Sequence, residues 1–273
     1  MTGYGISDPL GRAEPARWRS LEDFWREPGV LVRGVRSLAG VVIRALLHVY
    51  VRLTIVGRQN LPADRSFILV ANHASHLDAL CLLGALPIRQ RHRTFPVAAS
   101  EYFCVNRLLF FLAKLIVNVL PFDRQCACWY SLGVCAQLLH EKPGTILILF
   151  PEGTRTGGVE PGDFKPGVGF LAAGRDIPVV PCHLAGTHAA LARGAWFPRP
   201  KAVRLTIGAP LAYAHLPATK ASRMRICREL REAVMSLGHV GLQDCLGPRE
   251  LSKSIAKKAV VYHASGNHLQ TDS

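Results

Sequence analysis

The chain has 273 residues, 49% of them apolar, with 33 Lys and Arg against 19 Asp and Glu for a formal net charge of +14. Such a length accommodates one large α/β domain or two small ones, and the apolar content is enough to bury a sizeable core. The basic excess implies an acidic partner, whether nucleic acid, an anionic membrane or a phosphorylated substrate.

Residues 1–28 are polar and rich in Pro and Gly, and read as a loose arm. Asp8, Glu14, Glu22 and Asp23 precede any apolar stretch, so no signal peptide is expected. Over residues 29–56 the apolar positions Val32, Val35, Leu38, Val42, Leu46 and Val49 recur at helical spacing, interleaved with Arg33, Arg36, Arg44 and Arg52. A basic amphipathic helix of this kind suits the headgroup interface of an anionic bilayer. The alternative is a helix packed on the domain with its arginines in water. No run reaches the roughly 18 to 20 apolar residues that span a bilayer, so any membrane contact is expected to be peripheral or monotopic.

From residue 57 to 240 short apolar runs alternate with helical stretches. Strands are expected at 66–71, 95–99, 145–150, 177–182 and 202–207, and helices at 78–86, 106–117, 131–141, 167–174 and 220–236. The pattern indicates a single α/β domain, a mostly buried mixed sheet flanked by helices and preceded by the N-terminal amphipathic helix. Residues 241–273 lack periodicity and read as a flexible tail. The eight cysteines contain no CxxC pair, and several lie in apolar runs, which points to reduced, mostly buried thiols in a cytosolic compartment.

Two polar turns follow buried strands. The first is Asn72-His73-Ala74-Ser75-His76-Leu77-Asp78. Polar residues at the end of a buried strand are where α/β proteins bind ligands. His73 and Asp78 lie about 140° apart around an ideal helix. They meet only if His73 sits in the turn and Asp78 starts the helix, an arrangement in which the carboxylate holds the imidazole as a base. Asp78 serving merely as a helix cap is the plainer reading. The second turn is Phe150-Pro151-Glu152-Gly153-Thr154-Arg155-Thr156. Its Glu152 and Arg155 need partners or a cleft, because burying a lone charge is costly, and Arg155 can grip a phosphate bidentately. Asp123-Arg124 follow Leu120-Pro121-Phe122 as a further polar cluster. Lys165 reads more naturally as a solvated surface lysine than as a phosphate contact.

In this order and spacing the blocks NHASHLD, PFDR, FPEGTR and VPVVP resemble those of the glycerophospholipid acyltransferases typified by 1-acylglycerol-3-phosphate acyltransferase, over about residues 50 to 210. The second block departs from the family's glycine-aromatic start. The resemblance implies that His73 is a general base oriented by Asp78. It implies that Arg124, Glu152, Gly153, Thr154 and Arg155 bind the acceptor. No cofactor or metal is expected, acyl-CoA or acyl-carrier protein being the donor substrate. The implied reaction acylates a lysoglycerolipid, with lysophosphatidic acid the default acceptor, at the cytoplasmic face of an anionic membrane. Another lysolipid acceptor, or water in a thioesterase, would use the same turn. A GxSxG hydrolase elbow is absent. The basic residues are not interleaved with aromatics as in common nucleic-acid modules, so no nucleic-acid partner is expected, and a non-enzymatic basic binding module is the remaining alternative.

Overall fold

The computed structural model describes residues 29–99, 114–122, 128–156, 161–192, 194–195 and 197–243. The arm at 1–28 and residues 244–273 of the expected tail lie outside them, as does the 106–113 part of one expected helix.

A seven-stranded sheet organises the chain. Its strands are β1 (Thr54–Val56), β2 (Phe67–Ala71), β3 (Thr94–Ala99), β4 (Leu120–Phe122), β5 (Ile146–Leu149), β6 (Val179–Ala185) and β7 (Arg204–Ile207), in the order β1-β7-β6-β2-β5-β3-β4. The pairs from β6 through β2, β5 and β3 to β4 are all parallel. β7 runs antiparallel to β6, and β1 pairs parallel with β7. The result is the mixed α/β sheet that the alternation of apolar runs implied.

Around it lie α1 (Val30–Val49), α2 (Leu77–Ala85), α3 (Ile88–Arg91), α4 (Cys128–Glu141), α5 (Gly167–Ala172), α6 (Thr187–Ala190) and α7 (Lys220–Gln243). β2 is buried along its whole length because both faces are covered. Ile68 and Val70 face the layer that includes Leu138, Leu171 and Leu230, whereas Phe67 and Leu69 face the layer containing Leu47, Cys81 and Leu82. This two-sided burial explains why the strand reads as a continuous apolar run and not as an alternation.

The N-terminal helix is shorter than expected. It ends at Val49, and the three β-branched residues Thr54, Ile55 and Val56 form an edge strand against β7. Arg52, with φ 46°, makes the left-handed turn between them. β-branched side chains favour the pleated conformation, and three residues are too few to reveal that by periodicity. β4, also three residues long, lacks a periodic signal likewise.

Only a narrow strip of α1 packs inward, around Leu47 and Ile43. Leu31, Leu38, Val42, Leu46 and Val49 stay exposed. Arg36 is not an outward charge. Its guanidinium donates to the carbonyls of Leu115 (2.8 Å) and Lys114 (3.1 Å), tying α1 to the helical segment 114–117. Among the described residues, no helix is long and apolar enough to cross a membrane.

α5 and α7 cross at Gly169. A Cβ built there would stand 2.5 Å from the backbone oxygen of Arg223, so only glycine permits this approach. Gly169→Ala is expected to force the helices apart and cost about 1–3 kcal/mol, typical of overpacking, read as a lower midpoint in thermal unfolding.

Candidate active site

The pairing of β2 with β5 places Val70 opposite Leu149. β5 ends at Leu149 itself and β2 one residue beyond Val70, so the two polar turns emerge side by side at the carboxyl edge of the sheet. Asn72 fixes the exit of β2. Its side-chain amide donates to the carbonyl of Leu184 on β6 (2.9 Å), and its Oδ1 accepts from the amide of the same residue (2.8 Å).

The first turn then folds back on the start of α2. Asp78 is fully buried in the first turn of that helix. Its Oδ2 accepts from the amides of Ala74 (2.7 Å) and Ser75 (2.8 Å) and from His73 Nδ1 (2.9 Å). Three donors and the helix N-terminus compensate the burial of this charge. An ionised carboxylate only accepts, so Nδ1 carries the proton and Nε2 of the neutral ring holds a lone pair. The His73 side chain keeps 21% exposure, which leaves that edge reachable. Ser75 braces the turn by donating to the carbonyl of Leu191 (2.7 Å) and accepting from the amide of Leu77 (3.2 Å). It is engaged in scaffolding, not poised as a nucleophile.

The second turn supports the first. The His73 ring stacks on Phe150, with centroids 4.2 Å apart and planes inclined by 20°. Glu152 is 6% exposed. One carboxylate oxygen accepts from the His73 amide (2.8 Å) and the other from Thr156 Oγ1 (2.7 Å) and the Gly162 amide (3.1 Å). The Thr156 amide in turn donates to the His73 carbonyl (3.0 Å). The resemblance implies that Glu152 is one of the acceptor contacts. Its oxygens are instead taken up by the protein, because the turn points them inward across the gap between the strands. Gly153 adopts φ +75° and Thr154 is exposed at the tip. Arg155 is half-buried and close enough to act on His76, whose imidazole is pushed below its ordinary range by burial first, then by Arg155 and His73. Arg124 lies outside the described residues.

Beside Phe150 opens an apolar cleft of about 260 Å³, lined by Val97, Ala99, Phe122, Leu149 and Val168 among others, with Gly153, Lys165 and Arg223 contributing its polar part. None of Cys81, Cys135, Cys182 and Cys227, the cysteines whose side chains are described, suits nucleophilic attack. Burial drives the thiols of Cys81 and Cys135 up to about 12, with Asp78 adding to the shift at Cys81, and it raises Cys182 and Cys227 as well. A base on a rigid turn beside an apolar slot can deprotonate a hydroxyl presented to a bound chain. His73 and Asp78 meet as the first polar turn allows. Phe150, Asn72 and Thr156 hold them in place, and nothing local marks them for that role, although Phe150 and Thr156 bound the second polar turn.

Residues 52–185 match the family model described as Acyltransferase. A 1-acyl-sn-glycerol-3-phosphate acyltransferase of Chlamydomonas reinhardtii is 32% identical over 192 residues, covering 68% of this chain and 53% of that protein. The 1-acyl-sn-glycerol-3-phosphate acyltransferase of Bacillus subtilis is 29% identical over 180 residues, covering 64% of this chain and 83% of that protein. The chain thus spans about half the length of the algal relative, and about half that of relatives in Limnanthes alba and Mycoplasma pneumoniae. The crystal structure of the 1-acyl-sn-glycerophosphate acyltransferase PlsC from Thermotoga maritima has the same fold, with a TM-score of 0.58 at 21% identity over 77% of this chain and 80% of that one.

The Asp78 network has a measurable consequence. Asp78→Ala orphans two buried amides, at about 1–3 kcal/mol each, and is expected to lower the unfolding midpoint clearly. Asp78→Asn keeps an oxygen acceptor and is expected to melt closer to the wild type. Equal midpoints for Asp78→Ala and the wild type would show that the carboxylate does not organise the turn.

Proposed function

The chain belongs to the acyltransferase family through its residues 52–185, and on that premise we propose that it moves a fatty acyl group from acyl-CoA or acyl-carrier protein to a lysoglycerolipid hydroxyl, converting lysophosphatidic acid to phosphatidic acid. The observation that carries the reading is the His73–Asp78 pair, 2.9 Å apart, set against an apolar cleft through Phe150.

In this mechanism the acyl chain lies in the cleft with its thioester carbonyl facing His73. The Nε2 lone pair takes the proton of the acceptor hydroxyl as that oxygen bonds to the carbonyl carbon. The C–S bond then breaks, the sulfur leaves with its electron pair, and the imidazolium returns the proton to the thiolate. Asp78 stabilises the imidazolium between these steps. No acyl-enzyme forms, which agrees with the raised thiols of Cys81 and Cys135. Arg155 serves the acceptor phosphate, with Arg124 adding positive charge, while Gly153 and Thr154 shape the turn. Glu152 braces His73 from behind.

The test is an assay with vesicles, acyl-CoA and lysophosphatidic acid that records thiol release and phosphatidic acid together. Matched products are expected for the wild type, with a loss of about 10² or more in His73→Ala, as for removal of a general base. Thiol without phosphatidic acid would identify a thioesterase or another acceptor, and full activity in His73→Ala would remove the mechanism.

The same reading puts α1 on the membrane. Its exposed Leu31, Leu38, Val42 and Leu46 form an unburied apolar stripe, and the net charge of +14 favours an anionic surface. Replacing Leu38 and Leu46 with Glu is expected to weaken co-sedimentation with anionic vesicles at least several-fold. Undiminished binding would assign the contact to another segment.

A further inference from the structure

Lys165 is held on the second polar turn by its own backbone. Its amide donates to the carbonyl of Pro151 (2.9 Å), Phe164 before it is 6% exposed, and Pro166 after it restricts it to extended conformations. The side chain therefore lies across Gly153. A Cβ built on that glycine would stand 2.8 Å from Lys165 Nζ and 2.9 Å from Cε. Glycine at 153 thus meets two demands, a φ of +75° and room for the ammonium.

The surroundings leave this charge available. The nearest acid on the turn, Glu152, faces inward with both oxygens engaged. Among the described residues, no carboxylate forms an ion pair with Lys165. The exposed Lys165 marks the opening of the apolar cleft, and Phe150, which lines the same cleft, stacks on His73. The rim therefore carries an ammonium where an apolar chain must give way to its polar end.

We propose that Lys165 is a catalytic residue whose ammonium donates to the thioester carbonyl oxygen as negative charge develops there. The proposal rests on the acyl-transfer reading above. With the acyl chain in the cleft, the carbonyl carbon sits at its mouth, reached by the attacking oxygen from His73. The π pair of the carbonyl moves onto the oxygen beside Lys165, and returns as the C–S bond breaks and sulfur departs with its pair. Lys165 transfers no proton. A compact ammonium suits a single developing oxyanion, whereas the planar fork of Arg155 suits a phosphate. Lys165 and Arg155 therefore divide the substrate between them.

Kinetics separate the alternatives. Lys165→Met and Lys165→Gln are assayed beside Lys165→Arg, Arg155→Ala and His73→Ala, with kcat and the KM of each substrate measured separately. Both neutral variants are expected to melt with the wild type, since Lys165 is exposed. They are expected to lose about 10–10³ in kcat, as for removal of an oxyanion donor, with each KM within a few-fold of the wild type. Lys165→Arg should recover part of the loss, and Arg155→Ala should chiefly raise the acceptor KM. A raised acceptor KM with kcat preserved in the neutral Lys165 variants would make Lys165 a phosphate contact and overturn the proposal. Unchanged kcat and KM would make it a solvated lysine. If His73→Ala stays active, the acyl-transfer reading itself fails. If that variant is dead while Lys165→Met is active, only the role given to Lys165 fails.

Discussion

The parallel pairing of β2 with β5 is the constraint on which the rest of the site depends. Val70 stands opposite Leu149, so two turns separated by some eighty residues leave the sheet as neighbours. A slip of one residue would turn every side chain of β2 to the other face. That slip is opposed because Ile68 and Val70 complete one core layer while Phe67 and Leu69 complete the other. The apolar interior thereby sets the position of a polar site that lies outside it.

At the strand ends the energetics change from apolar burial to charge compensation. Two buried carboxylates bond to His73, one to its ring and one to its amide, and each is also tied to at least one other backbone amide. Asp78 gathers the amides of Ala74 and Ser75 along with the imidazole. Glu152 gathers those of His73 and Gly162 along with the Thr156 hydroxyl. A buried charge with so many donors does not relax easily, because every displacement breaks a charge-assisted bond in a region of low dielectric. The imidazole is consequently positioned from both sides, through its ring by Asp78 and Phe150 and through its backbone by Glu152.

The two faces of the sheet serve different purposes. On one, α1 and α2 cover the strands, and the outer surface of α1 leaves an apolar stripe in solvent. On the other, α4, α5 and α7 leave the cleft that opens beside Phe150. The tight crossing at Gly169 brings the backbone of α7 onto α5, and Arg223 of α7 joins the cleft wall. A packing requirement and the outline of the cleft are therefore met by the same pair of helices.

Much of this was legible in the chain itself, because it is written in local order. The buried strands appear as unbroken apolar runs, α1 as a helical stripe, and the two polar turns as charged residues where a strand must end. The family blocks name His73 and Asp78 together, and short-range geometry lets them meet only if the chain turns back between them. Other features depend on contacts between distant segments. β1 and β4 are three residues each, too short for a periodic signal, and exist because a neighbouring strand offers its edge. Arg36 has the spacing of an interfacial charge, yet it is drawn onto the carbonyls of Lys114 and Leu115. Glu152 has the composition of a binding residue, yet strand register turns it onto His73. Lys165 resembles any surface lysine until its backbone bond to Pro151 lays it over Gly153. Local order in the chain dictates which residues are apolar, which turns are polar and which side chains can do acid–base chemistry. Where each charge points follows from the folded arrangement alone, since that direction is set by contacts between residues far apart in the chain.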